Sequence, residues 1–261
     1  MSVSATPASA TAAVGGLPRV SMGIMVLLSI AIAFANAGLQ SVLPAIGRRI
    51  GIPDMLIASV FVISSTFYVL TSAYWAHLSD MIGRKPLMVV GSLGLTLAMG
   101  LSGVAVSLGL AHVIGPILCF ALFALGRSLN GILGAATGPA MQAYIADHTE
   151  GRGRVRAIST NAGANGFGTI FGPMLAPLFV TPFFGLAGPL YAFCLFGLFV
   201  MIATRIWLPE KRFPVEVREV LRDPFGAPRR HAEQQGEKRP SIWLDKRVQP
   251  FLFFALLSTM C

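Results

Sequence analysis

Apolar runs of membrane length, separated by short polar segments, recur along this chain. Six of them fall near residues 20–43, 57–78, 87–109, 113–146, 158–184 and 187–208. A hydrocarbon core about 30 Å thick is crossed by about 20 residues of α-helix, so each run predicts a spanning helix. The fourth run is overlong, and its last turns are expected to project beyond the lipid. A seventh run begins at Pro250 and reaches Cys261. It is too short to span and reads as the start of another helix, cut off in a truncated product or fragment.

The pattern predicts an all-α membrane protein. Residues 1–19 form a disordered tail, 20–208 a six-helix bundle, 209–249 a polar linker and 250–261 the start of helix seven. The linker is expected to be mobile, with a short surface helix around Val215–Leu221.

Composition agrees with the pattern. The chain is 54% hydrophobic and only 12% charged, about half the charge of a typical soluble domain. A net charge of +9 would suit nucleic acid, but the bases cluster in the segments between apolar runs, as orientation signals do. With the N-terminus inside, Arg19, Arg84, Lys85, Arg152, Arg154, Arg156 and the bases of the linker fall on the inner side. Only Arg48 and Arg49 fall in outer loops. That bias predicts a cytoplasmic N-terminus in a cell membrane, with the bilayer rather than nucleic acid as partner. No charged stretch precedes a short apolar one at the start, so no cleaved signal peptide is expected.

The sequence offers no constellation for catalysis. His77, His112, His148 and His231 lie on different segments without ligand spacing, and Cys119, Cys194 and Cys261 lie in apolar runs. No metal, cofactor or enzyme activity is expected. A six-helix sensor or scaffold, with the basic linker on a partner or anionic lipid, is a further reading.

The polar residues inside the runs are few. Arg127 is the one charged side chain placed deep in the membrane, where insertion costs about 2.5–3.5 kcal/mol. It either snorkels onto carbonyls or lines a polar cavity with Asn130, three residues on. Asn36 with Gln40, Tyr68 with Ser72, and Asn161 with Asn165 are spaced to share helix faces. Each pair either lines a cavity or glues helices. In the fifth run, Gly168 and Gly172 allow close packing. Pro173 and Pro177 each remove a backbone donor, so a kink is expected there. At the inner face, Asp147, Glu150, Arg154 and Arg156 form a mixed-sign cluster, either solvated or joined with Arg84 and Lys85 in an ion-pair network.

One segment concentrates charge between two apolar runs. Residues 76–88 resemble the loop 2–3 signature of the major facilitator superfamily, G-x-L-x-D-R-x-G-R-[KR]-x-x-L. Leu78, Asp80, Gly83, Arg84 and Lys85 match, while Ala76, Met81 and Met88 depart. Arg127 and Gly131 are similar to the helix-four signature R-x-x-x-G. Gly168 to Pro177 is similar to the helix-five antiporter signature G-x-x-x-G-P-x-x-G-G, with Ala176 and Pro177 in place of its last glycines.

The resemblance implies a fold of twelve helices in two halves working by alternating access, this chain supplying the first half and acting as a monomer when complete. It implies that Asp80 and Arg84 stabilise closure of the inner gate, and that Arg127 takes part in proton coupling. The helix-five motif implies efflux of drugs or amphiphilic compounds, as in tetracycline and multidrug antiporters. The resemblance also implies a bacterial inner membrane. The runner-up is an uptake permease for a small metabolite or organic anion. The acids before Glu210 are Asp54, Asp80, Asp147 and Glu150, all near a surface. Proton coupling then uses Asp80 with the inner-face network, uses an acid elsewhere, or is absent.

Overall fold

The computed structural model describes residues 18–180 and 185–209. The N-terminal tail, the linker with its Val215–Leu221 helix and the run from Pro250 lie outside the described residues. Among the described residues the chain is helical, with no β-strand. The helices are α1 (Arg19–Ile50), α2 (Asp54–Ile82), α3 (Arg84–Leu110), α4 (Pro116–Gly134), α5 (Thr137–His148), α6 (Gly151–Leu175) and α7 (Gly188–Trp207). A 3₁₀ turn, Ala176–Phe179, follows α6.

Five stretches are long and apolar enough to cross a membrane, counting α4 and α5 together. The fifth predicted run, α6, is not among them. Its 25 residues include Asn161, Asn165 and three arginines near its start, so the expectation of six apolar spans is met by five apolar helices and one polar one.

The boundaries differ from the expected ones for local reasons. Helix α1 continues through Pro44 to Ile50 and ends at Gly51, whose left-handed φ of 84° lets its N–H reach the carbonyl of Gly47. Arg48 and Arg49 therefore lie in the last turn of α1, where cations meet the negative end of the helix dipole, rather than in a loop. The fourth run does not project as one rod. It breaks at Ala135–Ala136 into α4 and α5. In the fifth run α6 passes over Pro173, and regular helix stops at Leu175, just before Pro177.

The core lies in two clusters. At the end of the bundle that carries Arg84, Met25, Leu28, Met88, Tyr144, Ile145 and Leu208 pack together. At the end that carries Arg48, Leu39, Ile46, Val60, Met99, Phe123 and Phe193 do so. Helix α3 sits centrally against α4, α5 and α7, while α1 packs on α6 and α7. The α1–α6 approach is close because Gly168 and Gly172 face it. A Cβ at Gly168 would stand 2.7 Å from the carbonyl oxygen of Ile30.

Helices α2 and α6 are left with broad exposed faces. Leu70 on α2 and Ile170 on α6 are each 69% exposed.

Candidate functional site

The charged segment between α2 and α3 is built around Gly83. This residue ends α2 and starts α3 with φ 109° and ψ 166°, a region essentially reserved for glycine. The sharp reversal leaves Asp80 in the last turn of α2 and makes Arg84 the first residue of α3.

Arg84 then reaches in two directions. Its Nη1 donates to Asp80 Oδ1 at 2.6 Å and to Ser79 Oγ at 3.2 Å, and its Nε donates to Asp147 Oδ2 at 3.0 Å. The planar guanidinium fork serves two carboxylates at once, which a lysine ammonium does less well. The Arg84 side chain is 13% exposed, against 55% for Asp80 and 39% for Asp147. One arginine thus joins α2, α3 and α5 at the charged end of the bundle.

The expected larger cluster is only partly assembled. Arg154 turns to the backbone: its Nη2 donates to the carbonyl of Ala146 at 2.8 Å and its Nε to that of Thr149 at 3.1 Å, capping the end of α5. Glu150 occupies the N-cap position of α6 without a side-chain hydrogen bond to the helix. Among the described residues, Lys85, Glu150 and Arg156 form no ion pair. Tyr144 adds a second tie here, its hydroxyl reaching Ser21 Oγ at 3.4 Å and the carbonyl of Pro209 at 3.2 Å.

Arg127 lies deeper, on α4, and is 4% exposed. Its Nη1 donates to Asn36 Oδ1 at 3.1 Å, and its guanidinium stands 5.2 Å from the centre of the Phe61 ring. Its Nε is buried without a hydrogen-bond partner. The nearby Ser64 hydroxyl donates to the carbonyl of Arg127 at 2.8 Å. Asn36 is fixed in turn, its Nδ2 donating to the carbonyl of Ile32 at 2.9 Å. No carboxylate among the described residues pairs with Arg127, so its charge rests on a neutral amide and an aromatic face.

The other predicted polar residues separate. Gln40, one turn beyond Asn36, is exposed, and Asn130 is half-buried near Gly134. Asn161 meets α1, where the Ser29 hydroxyl donates to its Oδ1 at 2.5 Å, while Asn165 is exposed. Asn36, Arg127 and Asn161 are therefore brought to the faces of α1, and Gln40 and Asn165 are left on open surface.

Sequence reasoning missed Phe61, Ser64, Ser29 and Trp75. Their roles come from partners 57 to 132 residues away, and a serine or an aromatic in an apolar run carries no sign of its partner.

Comparisons with known proteins point the same way. The chain is 32% identical over 160 residues to the class C tetracycline resistance protein of Escherichia coli, covering 59% of this chain and 37% of that one. It is 26% identical over 172 residues to the efflux pump azaK of Aspergillus niger, covering 64% and 33%. It is 30% identical over 129 residues to the uncharacterised MFS-type transporter YqjV of Bacillus subtilis, covering 48% and 28%. Its matches thus span between about a quarter and two fifths of these relatives' lengths. Among solved structures, the human organic anion transporter MFSD10 superposes with a TM-score of 0.60 at 20% identity, over 92% of this chain and 60% of that one. That similarity bears on the fold. The family profile described as Major Facilitator Superfamily matches residues 25–261, and the chain is a member of that superfamily.

Proposed function

We propose that this chain forms part of an exporter of amphiphilic, drug-like compounds that works by alternating access and is driven by protons. The observation that carries the reading is Arg84 held between Asp80 and Asp147. These contacts tie the ends of three helices together, as a latch on one side of a gated path must. With the N-terminus in the cytoplasm, the latch closes the inner face.

The geometry supports a division of labour. Helices α2 and α6, whose outward faces are open, act with a second bundle that closes over them, and the substrate path runs between the two. Asn36, Gln40, Tyr68 and Asn165 supply hydrogen-bonding groups without fixed charge, a permissive lining for varied amphiphiles. Asp80 and Asp147, on the Arg84 latch, are the acids best placed to link protonation to opening. Efflux is the direction named for azaK, and tetracycline resistance is named for the E. coli relative.

Arg127 favours a second reading. A buried guanidinium with no carboxylate partner among the described residues suits a negatively charged substrate, so uptake of a small metabolite or organic anion is the alternative. The test is accumulation of a fluorescent cationic drug and of a fluorescent anion in cells making the transporter, with and without a proton uncoupler. Uncoupler-sensitive loss of the cationic drug supports proton-driven export. Transport of the anion alone supports the alternative, and gain of the drug overturns the export reading.

A further inference from the structure

The fourth span was expected to be one long helix, and the structure breaks it at a defined place. Between α4 and α5, the N–H of Ala136 bonds the carbonyl of Leu133 at 3.1 Å, an i to i−3 bond of 3₁₀ type. In a continuous α-helix that N–H would serve the carbonyl of Ile132. A turn of 3₁₀ inside a longer helix often marks a hinge.

The freed carbonyl of Ile132 is not left bare. The indole Nε1 of Trp75, on α2, donates to it at 2.6 Å, and the hydroxyl of Thr71, one turn earlier, lies at 3.4 Å from it. One acceptor therefore has two possible sources of N–H, one on its own helix and one on a neighbour. A buried carbonyl is costly to leave unpaired, and here, with the Ala136 N–H turned to Leu133, the indole is what pairs it. The hydroxyl of Thr137, at the start of α5, is buried without a hydrogen-bond partner and packs closely on Gly91 of α3.

What lies beyond the break gives the exchange a consequence. Helix α5 is 12 residues long and carries Asp147 in its last turn, where it meets Arg84. Helix α5 packs mainly on α3, so a change of direction at Ala135–Ala136 shifts its Asp147 end along that contact.

We propose that Trp75 is a positioning residue of the transport cycle. Its indole N–H holds the carbonyl of Ile132 and keeps the fourth span bent. Returning that carbonyl to the N–H of Ala136 extends α4 into the break, changes the angle that Pro139 leaves there and withdraws Asp147 from Arg84. This rests on the transport reading above, but the bend itself is measurable without any substrate.

Two exposed sites report on it: His77 on α2 and Gln142 on α5. Spin labels on His77→Cys and Gln142→Cys, in the chain freed of its other cysteines and held in lipid nanodiscs, give the distance between the two helices. Trp75→Phe keeps the ring and loses the donor. It is expected to add a displaced distance population at the expense of the parent one. Ala136→Pro removes the rival N–H, and its ring clashes with the Ile132 carbonyl of a straight helix, so it is expected to keep the parent distance alone. The double variant is expected to return to the parent distance, which restoration of mere side-chain volume would not achieve.

A Trp75→Phe distribution identical to the parent overturns the proposal, as does a double variant that stays displaced. Should Trp75→Phe fail to insert, a displaced distribution in Ala136→Pro alone overturns it. In transport assays, Trp75→Phe is expected to change turnover more than substrate affinity. Loss of transport by every form, the parent included, counts against the transporter reading and leaves these distances to decide the role of Trp75.

Discussion

Arg84 and Asp147 stand 63 residues apart in the chain and 3.0 Å apart in space. The contact fastens the first turn of α3 to the last turn of α5, and Asp80 holds the same guanidinium from α2. Exposed ion pairs are worth about 0.2–1 kcal/mol each, far too little to hold a fold. It is enough, however, to bias a two-state equilibrium by up to about fivefold. Asp80→Asn and Asp147→Asn are therefore expected to reduce transport while leaving insertion and thermal unfolding nearly unchanged. Each loss should be partial, because the other acid remains on Arg84. Wild-type transport rates in both variants would remove the latch role.

The backbone at Gly83 should be less forgiving than the charges it presents. Its φ of 109° is open to glycine and strained for any residue with a Cβ, at about 1–3 kcal/mol. Gly83→Ala is expected to lower the unfolding temperature of the purified protein and to weaken the Arg84 contacts together. Equal stability of Gly83→Ala and the parent would show that the reversal relaxes to another conformation.

Much of this arrangement was legible in the sequence because it is local. Asp80, Gly83 and Arg84 lie within five residues, so one turn fixes their geometry. Gly168 and Gly172 declare a close approach by their spacing alone. The partners were not legible. Nothing in Asn36 says that it accepts from Arg127, 91 residues on, and nothing in Arg154 says that it caps α5 rather than joining the acids. The break at Ala135–Ala136 had a local sign in Pro139, which offers no N–H to the carbonyl of Ala135 and crowds it with its ring, but the bond from Trp75 on α2 to the Ile132 carbonyl had none. Reading an apolar run predicts that a helix crosses the membrane; it says nothing about which carbonyl another helix has claimed.

Two glycines of α6 should respond oppositely to the same substitution. A Cβ on Gly168 meets the Ile30 carbonyl at 2.7 Å and the Cβ of Ala33 at 2.8 Å, whereas one on Gly166 meets nothing within 4 Å. Gly168→Ala forces α1 and α6 apart and is expected to destabilise the bundle. Gly166→Ala relieves the flexibility of an exposed helical glycine and is expected to be neutral or stabilising by up to about 1 kcal/mol. Thermal unfolding in detergent compares them, and equal loss in both would show that helix propensity, not contact with α1, governs α6.

Arg127 sets function against stability. It is buried on α4 with one bond to Asn36 and an unpartnered Nε, in a position where a charge costs about 2.5–3.5 kcal/mol to insert. Replacing a buried, poorly paired charge by an apolar residue of similar length is often neutral or stabilising. Arg127→Met is therefore expected to unfold at the same temperature as the parent or higher. Freed from Arg127, Asn36 keeps its bond to Ile32 and loses the donor on its Oδ1, so the fold survives with an altered polar face. Transport is expected to be abolished, because no other cation among the described residues lies at that depth. Arg127→Lys should retain a fraction of it, keeping the charge while losing the planar fork that meets Asn36. The pair of measurements separates the two roles open to this residue. A stable, inactive Arg127→Met assigns the charge to the transport cycle, whereas an unstable variant, or one that transports normally, returns Arg127 to a structural part in the bundle.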